Sequence, residues 1–124
     1  MNCLSQATAS RELIPVLLGY SQETVNRAHA FYRKYRVVSH VFCHKPPLSH
    51  GWSLCMKYHA VRHTAREELM LCALLDFSEQ LVHSDVIPYL IPCSRDYESF
   101  LLQNRRELEA CFVIADFKEE GAQV

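Results

Sequence analysis

The sequence lacks any long hydrophobic run and any block of like charge. Its apolar runs are only a few residues long, whereas a membrane-spanning helix needs about 20. The net charge is −1, and the basic residues are not gathered into a patch. We therefore expect no binding to nucleic acid and none to a membrane surface. The first residues also lack the basic and then apolar segments of a signal peptide, which predicts a cytoplasmic protein.

Metal-binding and disulfide patterns are missing as well. No two of the six cysteines are spaced as CxxC, and most lie in apolar segments, so we expect reduced and buried thiols. His59 and His63 are four residues apart and could share a helix face, but no HExxH motif surrounds them and no third ligand is indicated. The sequence therefore predicts neither a metal nor a disulfide. The cysteines are Cys3, Cys43, Cys55, Cys72, Cys93 and Cys111.

Glycine is scarce, with only three residues in the chain. The first apolar run ends in GYSQET, where a dinucleotide fingerprint, GxGxxG, would need glycine in place of Ser21 and Thr24. The phosphate-binding motif GxxxxGK[ST] is absent too. These absences disfavour a nicotinamide or flavin enzyme and a P-loop nucleoside triphosphatase.

Short apolar runs alternate with helical stripes along the rest of the chain. Prolines open and close the run PYLIP, and Pro15 is expected at the beginning of the first strand. The segment from 55 to 64 fits either a short strand or a helical turn. Helices are predicted over 21–35, over 66–83 and from Ser94 to about Leu108. Strands are predicted over 13–19, 37–43, 87–92 and 111–115.

Strand, crossover helix and strand make a βαβ unit, which implies a parallel sheet. We therefore predict an α/β protein, a three-layer α/β/α sandwich with a mostly parallel, Rossmann-like sheet of four to five strands. One domain spans 13–116, with an N-terminal arm at 1–12 and a C-terminal tail at 117–124.

Ligands of parallel sheets sit beyond the carboxyl ends of the strands. The residues predicted to line such a cleft are Gly19, Tyr20, Ser21, Ser94 and Asp96. His44-Lys45 and Asp116 with Lys118 follow other strands. Cys93 precedes a helix start, which would stabilise a thiolate, but no nearby base is indicated, and a packing cysteine is the favoured interpretation. The plainer interpretation is that Ser21 and Ser94 only cap helices and that Asp96 only complements a helix dipole.

Two segments, IPVLLGYSQETVNRAHAFYRKYRVVSHVF and LIPCSRDYESFLLQNRREL, carry a family resemblance. Together with the stretch between them, they resemble the N-terminal domain of ATP-grasp carboxylate–amine ligases, relatives of the large subunit of carbamoyl-phosphate synthase. The first turn departs from the family pattern, because Tyr20-Ser21-Gln22 replaces a second small residue, and Arg95 is inserted before Asp96. The residues that carry the match are Pro92, Ser94, Asp96, Tyr97, Asn104, Arg105 and Leu108.

The resemblance implies a domain that lines one side of a ligase cleft. In the family, ATP converts a carboxylate to an acyl phosphate, and an amine then attacks it. Later grasp domains hold ATP and Mg²⁺, so this chain alone is expected to carry no cofactor and no catalytic residue. The implied partners are C-terminal ATP-grasp domains and a small-molecule carboxylate or amine, with a homodimer left open. The alternative is a stand-alone, non-enzymatic α/β binding or regulatory module.

Overall fold

The computed structural model describes residues 12–47, 54–62 and 68–115. The expected arm, apart from its last residue, and the expected tail lie outside these ranges, as do Asp116, Lys118 and His63. The strands are β1 (Glu12–Leu18), β2 (Ser39–Cys43), β3 (Met56–Ala60), β4 (Val86–Pro92) and β5 (Val113–Ile114). The helices are α1 (Gln22–Tyr35), α2 (Glu68–Gln80), α3 (Arg95–Gln103) and α4 (Arg105–Glu109).

All five strands are parallel and form one sheet in the order β3-β2-β1-β4-β5. This confirms the predicted α/β class and the parallel, Rossmann-like sheet. It also decides the ambiguous segment from 55 to 64, which contains a strand at the sheet's edge. None of the helices in the described ranges is both long and apolar enough to cross a bilayer.

Helices cover both faces of the sheet. On one face, Ala28 of α1 packs with Leu17, Val41 and Ile91. The other face carries α2, α3 and α4, whose apolar stripes bury a second and larger core. The residues of that core include Val16, Leu18, Phe42, Leu74, Phe77, Leu90, Phe100 and Leu108.

Pro15 lies inside β1, the central strand, rather than at its beginning as predicted. Alternate residues of a parallel strand bond to opposite neighbours. The Gly19 N–H donates to Phe42 of β2, so the alternation directs Pro15 toward β2 as well. Pairing with β2 begins only at Val16. The missing N–H of Pro15 therefore removes no bond from the sheet.

The last strand is two residues long instead of the predicted 111–115. Ala115 donates its N–H to the Leu90 carbonyl, so the even-numbered residues of β4 face β5. Pro88 and Pro92 are two of these residues, and neither has an N–H to donate. The ladder between β4 and β5 is therefore confined to Tyr89 and Leu90.

The helix predicted from Ser94 to about Leu108 is divided in two. The side-chain amide of Asn104 donates to the Phe100 carbonyl at 2.9 Å, beside the backbone N–H of the same residue, which donates to that carbonyl at 3.1 Å. The first segment, α3, ends at Gln103, and α4 begins at Arg105. The second predicted strand also starts late, at Ser39, because Arg36 adopts a left-handed conformation that ends α1.

Candidate functional site

The strand order reverses its direction of growth between β1 and β4, and the crevice in which open parallel sheets bind ligands lies beyond the carboxyl ends of the strands at such a switch point. Leu18 and Pro92 are in register at this end of the two strands. The Cys93 N–H donates to the Leu18 carbonyl at 3.0 Å. The turns that begin at Gly19 and at Cys93 are therefore neighbours.

Gly19 has a positive φ of 95°, which residues with a side chain rarely adopt. A Cβ atom at Gly19 would lie 2.9 Å from Cδ2 of Tyr97 and 3.9 Å from Oγ of Ser94. The Tyr97 ring thus lies against the turn after β1, in space that only glycine leaves open. Because Ser94 and Tyr97 both belong to the start of α3, the packing of Tyr97 on Gly19 also brings Ser94 close to Gly19.

A hydrogen-bonded cap holds the start of α1. Oγ of Ser21 accepts from the Thr24 N–H at 3.4 Å, and Oγ1 of Thr24 accepts from the Ser21 N–H at 3.0 Å. The Thr24 hydroxyl also donates to the Gly19 carbonyl at 2.8 Å and is fully buried. Thr24 therefore fixes the whole turn. In the sequence, Thr24 stood out only as a departure from the dinucleotide fingerprint GxGxxG, although the spacing Ser-x-x-Thr resembles a capping box.

Ser94 and Asp96 lie at the start of α3. Oγ of Ser94 accepts from the Tyr97 N–H at 3.3 Å, which makes Ser94 the N-cap. Asp96 is exposed in the first turn, where a carboxylate complements the positive end of the helix dipole. Both capping interpretations made from the sequence are compatible with this geometry, and neither role prevents these residues from lining a cleft.

The ring of Tyr20 is directed away from Tyr97. It packs edge-to-face against Tyr58 of β3, with 5.9 Å between ring centroids, and Tyr20 stays 43% exposed. It is His44, directly after β2, that approaches Tyr97, with 6.3 Å between the two ring centroids. Nδ1 of His44 is 2.8 Å from the Val61 carbonyl oxygen. His44 therefore borders Tyr97 at this end of the sheet.

Cys93 does not have the environment of a nucleophile. It is 4% exposed, and burial raises its pKa even though the neighbouring Thr24 side chain and the charge of Arg27 act in the opposite direction. Burial also raises the pKa of Cys43, at the end of β2, to about 11. Both side chains are thiols at neutral pH, which fits packing rather than catalysis.

A second polar cluster lies under α2. Nδ1 of His40 is 2.8 Å from Nε2 of His59, across the pair of strands β2 and β3. Burial, the neighbouring His59 and Lys57 lower the pKa of His40 to about 4, and burial also lowers that of His59. In the sequence, the spacing of four residues pairs His59 with His63, which lies outside the described residues. A partner on another strand cannot be recognised from spacing within one segment.

Within residues 12–47, 54–62 and 68–115, no three His, Cys, Asp or Glu side chains are grouped closely enough to hold a metal ion. The crevice thus combines two helix N-termini with the carboxylates of their first turns, Glu23 in α1 and Asp96 and Glu98 in α3. Such a site can bind and orient an anionic group through free backbone N–H groups. Among the described residues it shows no activated nucleophile.

No protein-family model, curated protein or solved structure matches this chain. The likeness to ATP-grasp ligases therefore depends on the residues that carry it and on the fold.

Proposed function

We propose that this chain is the N-terminal, Rossmann-like domain of an ATP-grasp carboxylate–amine ligase, and that it lines one wall of the ligase cleft. The single observation that supports this best is the meeting of Gly19 and Ser94 at the switch point of the sheet. Gly19 lies in the first and Ser94 in the second of the two segments that carry the family resemblance. We also propose, with the family, a cytoplasmic location.

Each residue has a role within this proposal. Gly19 and Tyr97 set the shape of the wall, and Ser21 and Ser94 cap the two helices that open onto it. The free N–H groups at those helix starts would hold a phosphate or carboxylate oxygen of the substrate. Asp96 is exposed beside them and would orient an amine through its negative charge.

The phosphoryl chemistry is assigned to the grasp domains of the family. Mg²⁺ is commonly bound by one or two carboxylates together with the phosphates of the substrate. Following the family resemblance, we propose that these carboxylates and the phosphate-binding lysines lie in the grasp domains. ATP and Mg²⁺ would be held by other parts of the full-length protein.

Binding at the crevice can be measured by NMR. We expect millimolar ADP, or one member of an amino acid panel, to shift the amide resonances of 19–22 and 94–97 selectively. Ser94→Ala should weaken this binding several-fold, because it loosens the start of α3. Ser99→Ala is the matched control, since Ser99 is exposed in the same helix outside the first turn. Shifts confined to another surface would contradict the proposal and favour a separate binding module.

Turnover is the second test. Aligning a triphosphate with a carboxylate requires charge neutralisation that two helix N-termini do not provide. A coupled ADP-release assay on the chain alone, with Mg²⁺ and the amino acid panel, should therefore show no activity. Robust turnover that disappears in Asp96→Ala would show that the chemistry resides in this chain.

A further inference from the structure

The histidine pair on β2 and β3 is independent of the crevice and of its proposed ligands. His40 and His59 project from neighbouring strands onto the face that α2 covers, and their rings are stacked with 5.1 Å between centroids. We propose that His40 and His59 together bind one divalent transition-metal ion of the Zn²⁺, Ni²⁺ and Cu²⁺ group. Water molecules would complete the coordination.

The distance between the two nitrogens is close to what a shared metal requires. Two imidazole nitrogens bound to one tetrahedral zinc ion, each at 2.0–2.1 Å, are about 3.3 Å apart. Nδ1 of His40 and Nε2 of His59 are 2.8 Å apart. To admit the ion, the two nitrogens would have to separate by about 0.5 Å, and each ring would have to turn so that its lone pair points at the metal and not at the other ring. Both side chains are already held at this separation by the sheet.

Aromatic neighbours fix the orientation of the rings. Phe42 stacks on His59, with ring planes 5° apart and centroids 4.4 Å apart, and Phe77 of α2 meets His59 edge-on at 5.4 Å. Phe77 also lies 4.9 Å from the His40 ring. A pair of ligands immobilised in this way loses little conformational freedom when a metal binds, which favours affinity.

Metal binding requires a change of tautomer in one of the two histidines, but both imidazoles stay neutral. In the hydrogen-bonded pair, one of the two facing nitrogens carries the proton that lies between the rings. For both to donate lone pairs to a metal, that proton must move to the far nitrogen of its own ring. Both imidazoles then remain neutral, with N–H on Nε2 of His40 and Nδ1 of His59, so no proton is released to solvent.

The surroundings provide space and a suitable charge. A cavity of about 340 Å³ is lined by His59 together with Asp76 and Gln80. The cavity reaches His59 but not His40, so within the proposal Asp76 or Gln80 would accept a hydrogen bond from the outer Nδ1–H of His59, as partners of metal-bound imidazoles do. Lys57 is the neighbouring cation, in register with His40, but it is exposed and its ammonium can turn toward water.

Imidazole ligands determine the class of ion. Nitrogen donors select Zn²⁺, Ni²⁺ and Cu²⁺, whereas Mg²⁺ and Ca²⁺ prefer oxygen. Two protein ligands predict moderate affinity. This site therefore differs in place and in chemistry from the Mg²⁺ of the proposed ligase reaction.

Paramagnetic Ni²⁺ is the appropriate probe, because it broadens NMR signals near its binding site. At substoichiometric Ni²⁺ and pH 7.5, we expect selective loss of the amide signals of 39–42 and 57–60. By calorimetry, His40→Gln and His59→Gln should each weaken Ni²⁺ binding at least tenfold. His29→Gln and His83→Gln are the matched controls, since both histidines are exposed, and they should leave the affinity unchanged.

Signal loss centred on Cys72, Cys111 or His29 would overturn the proposal, as would unchanged affinity in both variants of the pair. If a variant of the pair does not fold, the broadening pattern of the unaltered chain still decides, together with Asp76→Asn. Asp76 is exposed, so Asp76→Asn should fold normally and bind Ni²⁺ a few-fold more weakly.

Discussion

The ring of Tyr97 occupies the space where any residue other than glycine at position 19 would place its side chain. A Cβ atom there would approach Cδ2 of Tyr97 to 2.9 Å, which is closer than real Cβ contacts come. The contact joins the turn between β1 and α1 to the first turn of α3. The shape of the crevice wall therefore depends on both residues together.

Gly19→Ala should destabilise the protein by roughly 2–3 kcal/mol, through the positive φ and the clash with Tyr97. Urea unfolding measures this. The double variant Gly19→Ala, Tyr97→Ala removes the clash but keeps the backbone strain, so its cost should be less than the sum of the two single costs. Strict additivity would show that Tyr97 does not restrict Gly19.

Thr24→Val should cost about 1–3 kcal/mol although it changes the shape of the side chain little. It removes the donor to the Gly19 carbonyl and the acceptor for the Ser21 N–H, and it leaves both groups unpaired in a partly buried turn. Thr24→Ser keeps the hydroxyl and is the control. Equal stability of the valine variant and the original chain would refute this account of the turn.

Ser39→Ala should leave the stability unchanged or raise it by up to about 1 kcal/mol. The Ser39 hydroxyl is fully buried and is without a hydrogen-bond partner, so its removal ends a desolvation penalty. Ser78→Ala is the matched control, because the Ser78 hydroxyl donates to the Leu75 carbonyl at 2.8 Å, and this variant should lose stability. A clear loss in Ser39→Ala would reveal a hydrogen bond to water.

Acid should weaken the fold through the histidine pair. The pKa of His40 is lowered from 6.5 to about 4 in the folded protein, so between these values the unfolded chain binds the proton more readily. Stability is therefore full above pH 6.5 and falls as the pH drops toward 4. Urea unfolding between pH 7.5 and pH 4, with EDTA present, measures the slope.

His40→Gln should reduce that pH dependence, whereas His29→Gln, on the exposed side of α1, should preserve it. Identical slopes in the original chain and in His40→Gln would assign the acid sensitivity to other groups.

Cysteine alkylation should separate two classes of thiol. Cys72 and Cys111 are exposed, whereas Cys43 and Cys93 are buried and have raised pKa values. At pH 8, iodoacetamide should modify the exposed pair at least tenfold faster, as followed by peptide mass spectrometry, because the thiolate is the reactive form. In urea the difference should vanish. Fast modification of Cys93 in the folded chain would reopen its assignment as a nucleophile.

Much of the architecture follows from local patterns. The helical stripe that contains Leu74 and Phe77 and the apolar run at β1 predict their elements closely, because propensity and burial agree there. The places of Gly19 in a turn and of Ser21 and Ser94 at helix starts also follow from the apolar runs before them, whereas their role as ligand contacts stays a prediction. Such residues can be recognised within a single segment of the sequence.

Other features depend on contacts between distant segments. The sequence predicts Tyr97 as part of a buried helix face and as a residue of the family match, but its contact with Gly19 requires the register of β1 with β4. The pair of His40 and His59 requires the register of β2 with β3. The length of β5 depends on which neighbour Pro88 and Pro92 face, and this is decided by the hydrogen bonding of the assembled sheet.

The prolines of β4 also bear on association between molecules. An edge strand with free N–H and C=O groups is a template on which another chain can add a strand, and such addition begins aggregation. Pro88 and Pro92 confine β5 to two residues, and so short an edge gives an incoming strand little to pair with. The residues that shorten the sheet on this side therefore also protect the folded chain from growing into a fibre.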